Sequence, residues 1–254
     1  MTDLHRFFVP ADSLTTDLVT ISGEPLHHLR TVLRLGPDAN VLLLDGLGHC
    51  CRVRLDTVGR DRATATVIAR WTEEERPCPL RLLQALPKGD KFELVLQKGT
   101  ELGITIFQPV LTGRAVSRPE TGRTARWARI VGEAARQSRR PRLPQLVPLR
   151  PLAEALQAVD EPLRLVLWEK GARPLGEVLP VQPPAGVAVL VGPEGGFSGE
   201  EIAAVGAAGF VPVHLGPRIL RTETAGLAAA AVLQYLYGDW DRAAGGPTAS
   251  ETGE

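Results

Sequence analysis

Apolar and polar positions alternate with a period of two through much of the first 72 residues, a pattern that predicts β-strands. The clearest alternation predicts strands at 41–45, 50–55 and 63–69. A helical pattern over 24–33 precedes them. Glycine turns separate the strands at short spacing, as is typical of a small β-barrel. We therefore predict a β-rich first domain over residues 1–72.

The pattern changes to α/β after a polar, charged link at 72–79 that ends in Pro-Cys-Pro. Short, wholly apolar runs now alternate with segments of helical periodicity, and buried parallel strands require such runs. Predicted strands lie at 80–86, 105–110, 163–168, 187–191 and 211–215, and predicted helices at 90–102, 124–138 and 224–237. We predict a parallel α/β domain over 79–240, followed by a disordered tail of mostly small residues at 241–254.

Helix boundaries carry sequence signals of their own. Asp90 with Glu93 three residues later predicts a capping box, and Gly103 predicts the end of the same helix. Ser198 and Glu201 predict a second capping box, which places a helix start directly after a glycine turn.

Composition narrows the class of protein. Apolar residues make up 44% of the chain and charged residues 23%, as is ordinary for a globular protein. The formal net charge is zero, so the overall charge of the molecule does not attract nucleic acid. The three cysteines have no disulfide or zinc spacing and fit a reducing compartment. The longest apolar helical run, 225–233, is far shorter than the roughly 20 residues that span a bilayer. We expect a cytoplasmic protein that binds neither membrane nor metal.

Positive charge is nevertheless concentrated in one segment. Residues 114–142 contain nine Arg against two Glu, an excess of seven positive charges. Clustered cationic side chains bind phosphate groups, which give nucleic-acid complexes affinity and position but no sequence specificity. This segment is therefore a candidate RNA-binding surface.

Two strand-turn-helix units near the carboxyl end share nearly bare backbone at the turn. The first turn is Gly192-Pro-Glu-Gly-Gly196 and the second is Gly216-Pro-Arg-Ile-Leu220. Glycine lets a ligand approach the backbone, and helix N-termini offer unpaired N–H groups. The pair predicts a small-molecule site, although the first turn would also suit an ordinary tight connection between strand and helix. Neither turn has the spacing of a dinucleotide-binding or P-loop motif.

Charged residues stand at the second turn. Arg218, Arg221 and Glu223 precede an almost wholly apolar helix, and charges beside a buried helix are costly unless they are paired or used. Two interpretations stay open: a group of charges that faces a ligand, or a structural ion pair between Arg221 and Glu223.

The segments Leu190-Val-Gly-Pro-Glu-Gly-Gly-Phe-Ser198 and Leu215-Gly-Pro-Arg-Ile-Leu-Arg-Thr-Glu-Thr-Ala225 resemble the paired motifs of a known family. The family is the bacterial small-subunit ribosomal RNA uridine N3-methyltransferases (RsmE type) of the SPOUT superfamily. Further matching segments follow in family order at 5–8, 27–34, 88–103 and 137–140. The resemblance covers nearly the whole chain except the tail. The chain departs from the family at Arg136 and Arg139, where the family usually has Glu and Gly.

The resemblance implies a fold, a cofactor and an activity. The fold is a PUA-like β-barrel followed by an α/β domain whose C-terminal part forms a deep trefoil knot. The cofactor is S-adenosyl-L-methionine, and the reaction is methylation of N3 of a uridine in 16S ribosomal RNA, either free or in the assembled small subunit. Cofactor contacts are then expected from eight residues of the two turns: Val191, Gly192, Gly195, Gly196, Leu215, Gly216, Ile219 and Leu220.

Methylation of a ring nitrogen requires removal of the N3 proton, stabilisation of the developing negative charge, and alignment of the nitrogen with the methyl group. An Arg suits the second task, and motif and chemistry together indicate Arg221. Glu223 or Glu194 is the candidate proton acceptor. The reaction requires no metal.

RNA-binding residues are expected on two surfaces. The candidates are Arg6, His28, Arg30 and Arg34 on the PUA-like barrel, and Arg139 and Arg140 in the Arg-rich segment. The barrel residues would also suit an ordinary solvated helix. The family usually forms homodimers, and the apolar helix at 224–237 would bury its surface against either its own sheet or a second subunit.

Two other functions stay open from the sequence. One is ribose 2′-O-methylation by a related SPOUT enzyme. The other is a non-catalytic, RNA-binding ribosome assembly factor that has kept the fold, and the intact Arg218, Arg221 and Glu223 argue against it.

Overall fold

The structure is a computed structural model that describes residues 4–75, 77–114, 122–170 and 172–240, so the predicted tail at 241–254 lies outside the described residues. The chain forms two compact units. The first comprises 4–75 together with Ala135–Leu143, and the second comprises the rest of the described chain.

The first unit is built on a five-stranded sheet. The strands are β1 (Arg6–Phe8), β2 (Leu18–Ile21), β3 (Asn40–Leu44), β4 (His49–Val58) and β5 (Ala63–Thr72), in the order β1-β3-β4-β5-β2. β1 runs parallel to β3, and the other pairs are antiparallel. Helix α1 (Gly23–His27) continues into one wider turn at His28–Val32, which together match the predicted helix at 24–33.

All five strands of this sheet contribute to one buried core. Its fully buried members include Ile21, Leu29, Leu43 and Leu55. The predicted strands at 41–45, 50–55 and 63–69 are confirmed, whereas the short strands β1 and β2 had no alternation long enough to predict. The outermost strands β1 and β2 do not pair with each other among the described strands, so the strand order is an open path.

The segment Ala135–Leu143 packs with the first unit although it follows most of a helix of the second. The Leu143 backbone amide donates to the carbonyl oxygen of Gly46 at 2.9 Å, and Arg140 pairs with Glu75. The polar, charged composition of 72–79 predicts a domain boundary there. The sequence contains no signal for a later segment that returns to the first unit.

Arg139 in this segment has the backbone geometry of a glycine. Its φ is 62°, in the left-handed region that costs a non-glycine residue about 1–2 kcal/mol. Glycine adopts this region without that cost. The carbonyl oxygen of Arg139 accepts a hydrogen bond from Arg6 Nη1 at 3.0 Å.

The second unit is an eight-stranded sheet in which every pair is parallel. Its order is β11-β13-β10-β12-β6-β7-β8, and β9 also pairs with β7. The strands are β6 (Leu80–Ala85), β7 (Ile106–Leu111), β8 (Gln145–Leu146), β9 (Arg150–Pro151), β10 (Leu163–Leu167), β11 (Arg173–Pro174), β12 (Val187–Val191) and β13 (Val211–His214). The five strands predicted here are confirmed, and the three strands of only two residues were not predicted.

Six helices accompany this sheet in the described chain: α2 (Lys91–Glu101), α3 (Arg123–Gln137), α4 (Leu152–Gln157), α5 (Leu175–Val178), α6 (Gly199–Ala207) and α7 (Thr222–Tyr237). They cover both faces of the sheet. Val187, Val189 and Val191 of β12 pack in a core with residues of α2, α3 and α7, while Ala188 and Leu190 pack with residues of α4 and α6. Because both faces are buried, the strand has an unbroken apolar sequence. None of the helices in the described ranges is long and apolar enough to cross a membrane.

Of the two predicted capping boxes, one is confirmed and one is wrong. Ser198 and Glu201 make both reciprocal hydrogen bonds at the start of α6. At the start of α2 the Asp90 side chain makes no capping bond in the described structure, because the Glu93 backbone amide donates to the Asp90 carbonyl oxygen at 2.9 Å. The Glu93 carboxylate in turn accepts from Arg126 Nη2 at 2.6 Å. A charged partner outcompetes the backbone amide for this carboxylate. Gly103 has a φ of 87° and ends the helix as predicted.

Two helical glycines allow a direct test of packing in the second unit. A Cβ at Gly99 would lie 2.7 Å from Ile104 Cδ1 and 2.7 Å from Phe107 Cε1, whereas a Cβ at Gly132 would meet no atom within 4 Å. We expect Gly99→Ala to lower the free energy of unfolding by about 1–3 kcal/mol through overpacking. Gly132→Ala should raise it by about 0.5–1 kcal/mol through helix propensity. Urea unfolding of both variants measures the difference, and equal stabilities would contradict the packing of α2 on β7.

Candidate active site at the carboxyl ends of the parallel strands

A cleft of about 470 Å³ opens where three neighbouring strands of the second unit end. The turns that follow β10, β12 and β13 form most of its wall, and α2 contributes one residue. Parallel α/β sheets place their ligands at this edge. The lining residues are Lys91, Leu167, Trp168, Glu169, Val191, Gly192, Pro193, Glu194, Gly196, Phe197, Ile219, Leu220, Arg221, Thr222, Glu223 and Ala225.

The first glycine turn is fixed by contacts on both sides. A Cβ at Gly192 would lie 2.9 Å from a ring carbon of Phe197, so a side chain has no room there. Gly196 has a φ of 66°, which favours glycine. Arg114 Nη1 donates to the carbonyl oxygen of Gly195 at 2.9 Å, and the Thr222 hydroxyl donates to that of Gly192. These contacts hold the turn in place between Arg114 and the first residue of α7.

The second turn is more open. Gly216 has a φ of 99° and its backbone amide donates to His214 Nδ1 at 3.2 Å. Ile219 is 88% exposed even though it lines the cleft, and Leu220 is half-buried. An exposed apolar side chain beside a cleft is available to a ligand.

The structure places five of the eight predicted cofactor-contacting residues in the lining: Val191, Gly192, Gly196, Ile219 and Leu220. Gly195 stands between the lining residues Glu194 and Gly196, and Leu215 and Gly216 stand at the start of the second turn, but all three are outside the lining that the described residues form. Sequence reasoning missed Trp168 and Glu169 after β10, because the strand there carries no glycine turn to mark it.

All three predicted catalytic residues line the cleft. Arg221 Nη1 lies 3.9 Å from Glu223 Oε1, at the outer limit of an ion pair, and the Arg221 side chain is 80% exposed. This geometry does not support a tight structural pair. Lys91 lies closer: its Nζ is 3.5 Å from Glu223 Oε1 and 3.4 Å from Glu194 Oε1. Lys91 belongs to a segment that matches the family motifs, but the sequence alone did not predict its contacts with these two carboxylates.

The two carboxylates have different surroundings. Burial acts to raise the pKa of Glu194, but hydrogen bonds from its own amide, the Lys88 amide and Lys91 outweigh it and lower the pKa below the ordinary 4.5. The Glu223 side chain is only 10% exposed, and its Oε2 is buried without a hydrogen-bond partner among the described residues. Such a wall, apolar with a few convergent charges, can bind an organic cation and move a proton. No cluster of His, Cys, Asp and Glu is placed to hold a metal within the ranges that the structure describes.

Two family models match the chain. The RNA methyltransferase domain model matches residues 74–234, which include the whole cleft lining, and the RNA methyltransferase PUA domain model matches residues 21–68. A Synechocystis relative named ribosomal RNA small subunit methyltransferase E is 37% identical over 237 residues, which cover 91% of this chain and 78% of the relative. The chain belongs to the ribosomal RNA small subunit methyltransferase E family.

Other methyltransferase E proteins agree with this assignment. The Mycobacterium bovis protein of that name is 33% identical over 94% of each chain. The crystal structure of methyltransferase E from Neisseria gonorrhoeae, bound to S-adenosyl methionine, has a TM-score of 0.86 and 37% identity, covering 93% of this chain and 99% of that chain. A Legionella pneumophila structure with bound cofactor SAM has a TM-score of 0.84 and 32% identity, covering 92% and 98%.

In this methyltransferase E chain, three predicted RNA-binding residues of the first unit lie on its outer surface. Arg30, Arg34 and Arg139 are exposed. Arg30 Nη1 donates to the carbonyl oxygen of Arg60 at 3.1 Å, which holds one nitrogen of the guanidinium group while the residue stays exposed. Exposed guanidinium groups of this kind can contact phosphate.

The other three RNA-binding candidates are more enclosed. Arg6 is partly buried and bonded to the Arg139 carbonyl oxygen. His28 packs edge-on against Phe7, and Arg136 Nη1 donates to its Nε2 at 3.2 Å. The Arg140 side chain is only 8% exposed and is paired with Glu75, so its charge is used within the protein. We therefore leave Arg140 out of the RNA-binding surface proposed below.

Proposed function

We propose that the chain transfers a methyl group from S-adenosylmethionine to N3 of a uridine in 16S ribosomal RNA. The observation that carries the proposal is the grouping of Arg221, Glu223, Glu194 and Lys91 in the wall of a largely apolar cleft. Its support is membership of a ribosomal RNA methyltransferase family and the S-adenosylmethionine in two similar structures.

The cleft suits this cofactor in size and in charge. Its volume of about 470 Å³ lies within the range of small-molecule sites, and apolar residues of all three turns would hold the adenosyl part. Three carboxylates in the lining, Glu169, Glu194 and Glu223, outnumber the cations Lys91 and Arg221, which favours a positively charged sulfonium. When bound, the cofactor supplies an electrophilic methyl group and leaves as a neutral thioether.

The residues of this chain divide the remaining chemistry. The exposed guanidinium of Arg221 donates to the uracil carbonyl oxygens beside N3, where negative charge develops. One carboxylate of the pair Glu194 and Glu223 accepts the N3 proton. The first turn and the apolar wall align the nitrogen with the methyl group.

A trefoil knot belongs to the same proposal. β12 lies inside the sheet between β10 and β6, and the chain after β13 crosses back to place α7 against β12, β6 and α2. The hydrogen bond from Thr222 to Gly192 joins the start of α7 to the turn after β12. Because of this contact, the start of α7 lies beside the turn after β12, which supports a knotted domain. Knots are rare among protein folds.

The RNA would approach the first unit through Arg6, Arg30, Arg34, Arg139 and His28. Arg139 and Arg6 are joined by a hydrogen bond, so the Arg-rich segment and the sheet present charge together. Phosphate contacts from such residues position the substrate, while the cleft selects the base.

A homodimer is also part of the proposal. Helix α7 buries Ala229, Ala230 and Leu233 against its own sheet, but leaves Tyr235 65% and Leu236 50% exposed. Exposed apolar residues that neighbour each other on a helix are typical of a surface that a second subunit buries.

Reaction of the protein with labelled S-adenosylmethionine and unmodified small ribosomal subunits tests the function. Nuclease digestion and mass spectrometry should find N3-methyluridine at one position. A ribose methyl group would instead favour the 2′-O-methyltransferase, and no cofactor binding in calorimetry would favour the assembly factor. A parallel reaction on free 16S RNA shows whether the RNA or the assembled subunit is the substrate.

A further inference from the structure

The contacts within the chain distinguish the two carboxylates of the cleft. Glu194 Oε1 accepts hydrogen bonds from the Lys88 amide at 3.1 Å and from Lys91 Nζ at 3.4 Å. These donors stabilise the ionised form and lower the pKa of Glu194 despite its burial. A carboxylate whose charge is already satisfied is a poor proton acceptor. Glu194 therefore suits a structural task.

Glu223 has the opposite character. Its side chain is 10% exposed, and its Oε1 lies 3.5 Å from Lys91 Nζ and 3.9 Å from Arg221 Nη1. Its Oε2 is buried with no hydrogen-bond donor in the described part of the chain. A buried carboxylate oxygen without a donor is costly, and such exceptions are often functional. A ligand N–H group is the kind of donor that would relieve this cost.

Lys91 is the residue that both carboxylates share. It is the first residue of α2, where a positive charge is unfavourable because the helix macrodipole is positive at that end. The stability of the helix therefore does not explain a lysine at this position. Its two carboxylate contacts do, because the ammonium group lies 3.4 Å from Glu194 Oε1 and 3.5 Å from Glu223 Oε1.

We propose that Glu223 accepts the proton during methyl transfer and that Lys91 is a positioning residue, which holds the Glu223 carboxylate in its orientation in the cleft wall. Glu194 fixes Lys91. This inference rests on the proposed function and goes beyond it by assigning a separate task to each of the two carboxylates.

The step balances with these residues. The N3–H bond of uracil breaks, and the proton passes to the Glu223 carboxylate and neutralises it. The electron pair left on N3 forms the N–CH₃ bond as the S–CH₃ bond breaks with its pair on sulfur. Lys91 and Arg221 contact the Glu223 carboxylate, and Glu194 contacts Lys91, so the proton acceptor is held between named side chains of the cleft.

Five variants test this assignment: Lys91→Met, Lys91→Arg, Glu194→Gln, Glu223→Gln and, as a matched control, Lys98→Met. Lys98 lies on the same helix, and its ammonium group contacts Glu101 at the surface. For each variant, kcat and KM on small subunits, the pH dependence of kcat and the cofactor Kd by calorimetry are measured.

Glu223→Gln should lower kcat by about 10²–10⁴-fold, the usual contribution of a general base. Lys91→Met should lower kcat at least about tenfold and change the pH dependence of kcat, because the proton acceptor loses the side chain that positions it. Lys91→Arg should restore most of the rate and the profile. KM and the cofactor Kd should change little. Glu194→Gln should lower kcat by no more than Lys91→Met does, because it removes only the anchor of Lys91. Lys98→Met should match the wild type.

A wild-type kcat and pH profile in Lys91→Met would overturn the inference, as would a loss in Glu194→Gln as large as that in Glu223→Gln. If Lys91→Met does not fold, the comparison of Glu194→Gln with Glu223→Gln still decides which carboxylate accepts the proton, and Lys91→Arg shows whether the cation restores the profile. Absence of methylation by the wild-type protein is a different result, which contradicts the proposed function itself.

Discussion

Replacement of Arg221 with alanine should lower kcat for methyl transfer by about 10²–10³-fold, the loss expected when one donor to a developing anion is removed. The guanidinium lines the cleft, is 80% exposed and lies 3.9 Å from Glu223, so its charge is available to a ligand. Because it acts on charge that develops in the transition state, the cofactor Kd should stay nearly constant. Initial rates on small subunits and calorimetry on the same preparations measure the two quantities.

Arg218→Ala is the matched control for this variant. Arg218 is exposed in the same turn but lies outside the cleft lining, and its replacement removes an equal charge. Arg218→Ala should therefore keep the wild-type kcat. Equal losses in both variants would assign the effect to the net charge of the turn, and a wild-type rate in Arg221→Ala would remove Arg221 from the reaction.

Replacement of Arg140 with methionine should lower the free energy of unfolding by about 3–5 kcal/mol, the cost of leaving one charge of a buried pair without its partner. The Arg140 and Glu75 side chains are 8% and 13% exposed. Arg140 Nε and Nη2 each donate to the Glu75 carboxylate at 3.0 Å. Urea unfolding followed by circular dichroism measures the loss.

The exposed pair of Arg70 and Asp17 in the same unit provides a control. Its atoms lie 2.7 Å apart, but the side chains are 41% and 87% exposed, so Arg70→Met should cost less than about 1 kcal/mol. The double variant Glu75→Leu/Arg140→Met should recover much of the stability, because no unpaired charge stays buried. If Arg140→Met were as mild as Arg70→Met, the ion pair would not stabilise the first unit.

Local signals in the sequence predicted the wall of the cleft. The apolar run Val187–Val191 forms the central strand β12 with the predicted bounds, and the Ser198–Glu201 capping box makes both of its hydrogen bonds. Gly196 and Gly216 have positive φ in the two turns where bare backbone was expected. Each of these features depends on residues only a few positions apart, and periodicity and capping rules describe such neighbours well.

Pairings between distant residues were not predictable in the same way. Lys91 and Glu194 are 103 residues apart, and Arg140 and Glu75 are 65 residues apart. No period or capping rule connects such positions, so they meet only through the fold. The failed capping box at Asp90 has the same cause, because Arg126 competes for the Glu93 carboxylate from a different helix.

The placement of Ala135–Leu143 has an evolutionary consequence. This stretch completes the first unit although the later half of the gene encodes it. Recombination at residue 75 would therefore combine Arg140 and Leu143 with the first unit of another protein, without their own partners Glu75 and Gly46. Shuffling of whole domains is therefore disfavoured for this architecture. Its two parts are expected to have descended together, with substitutions on one side compensated on the other.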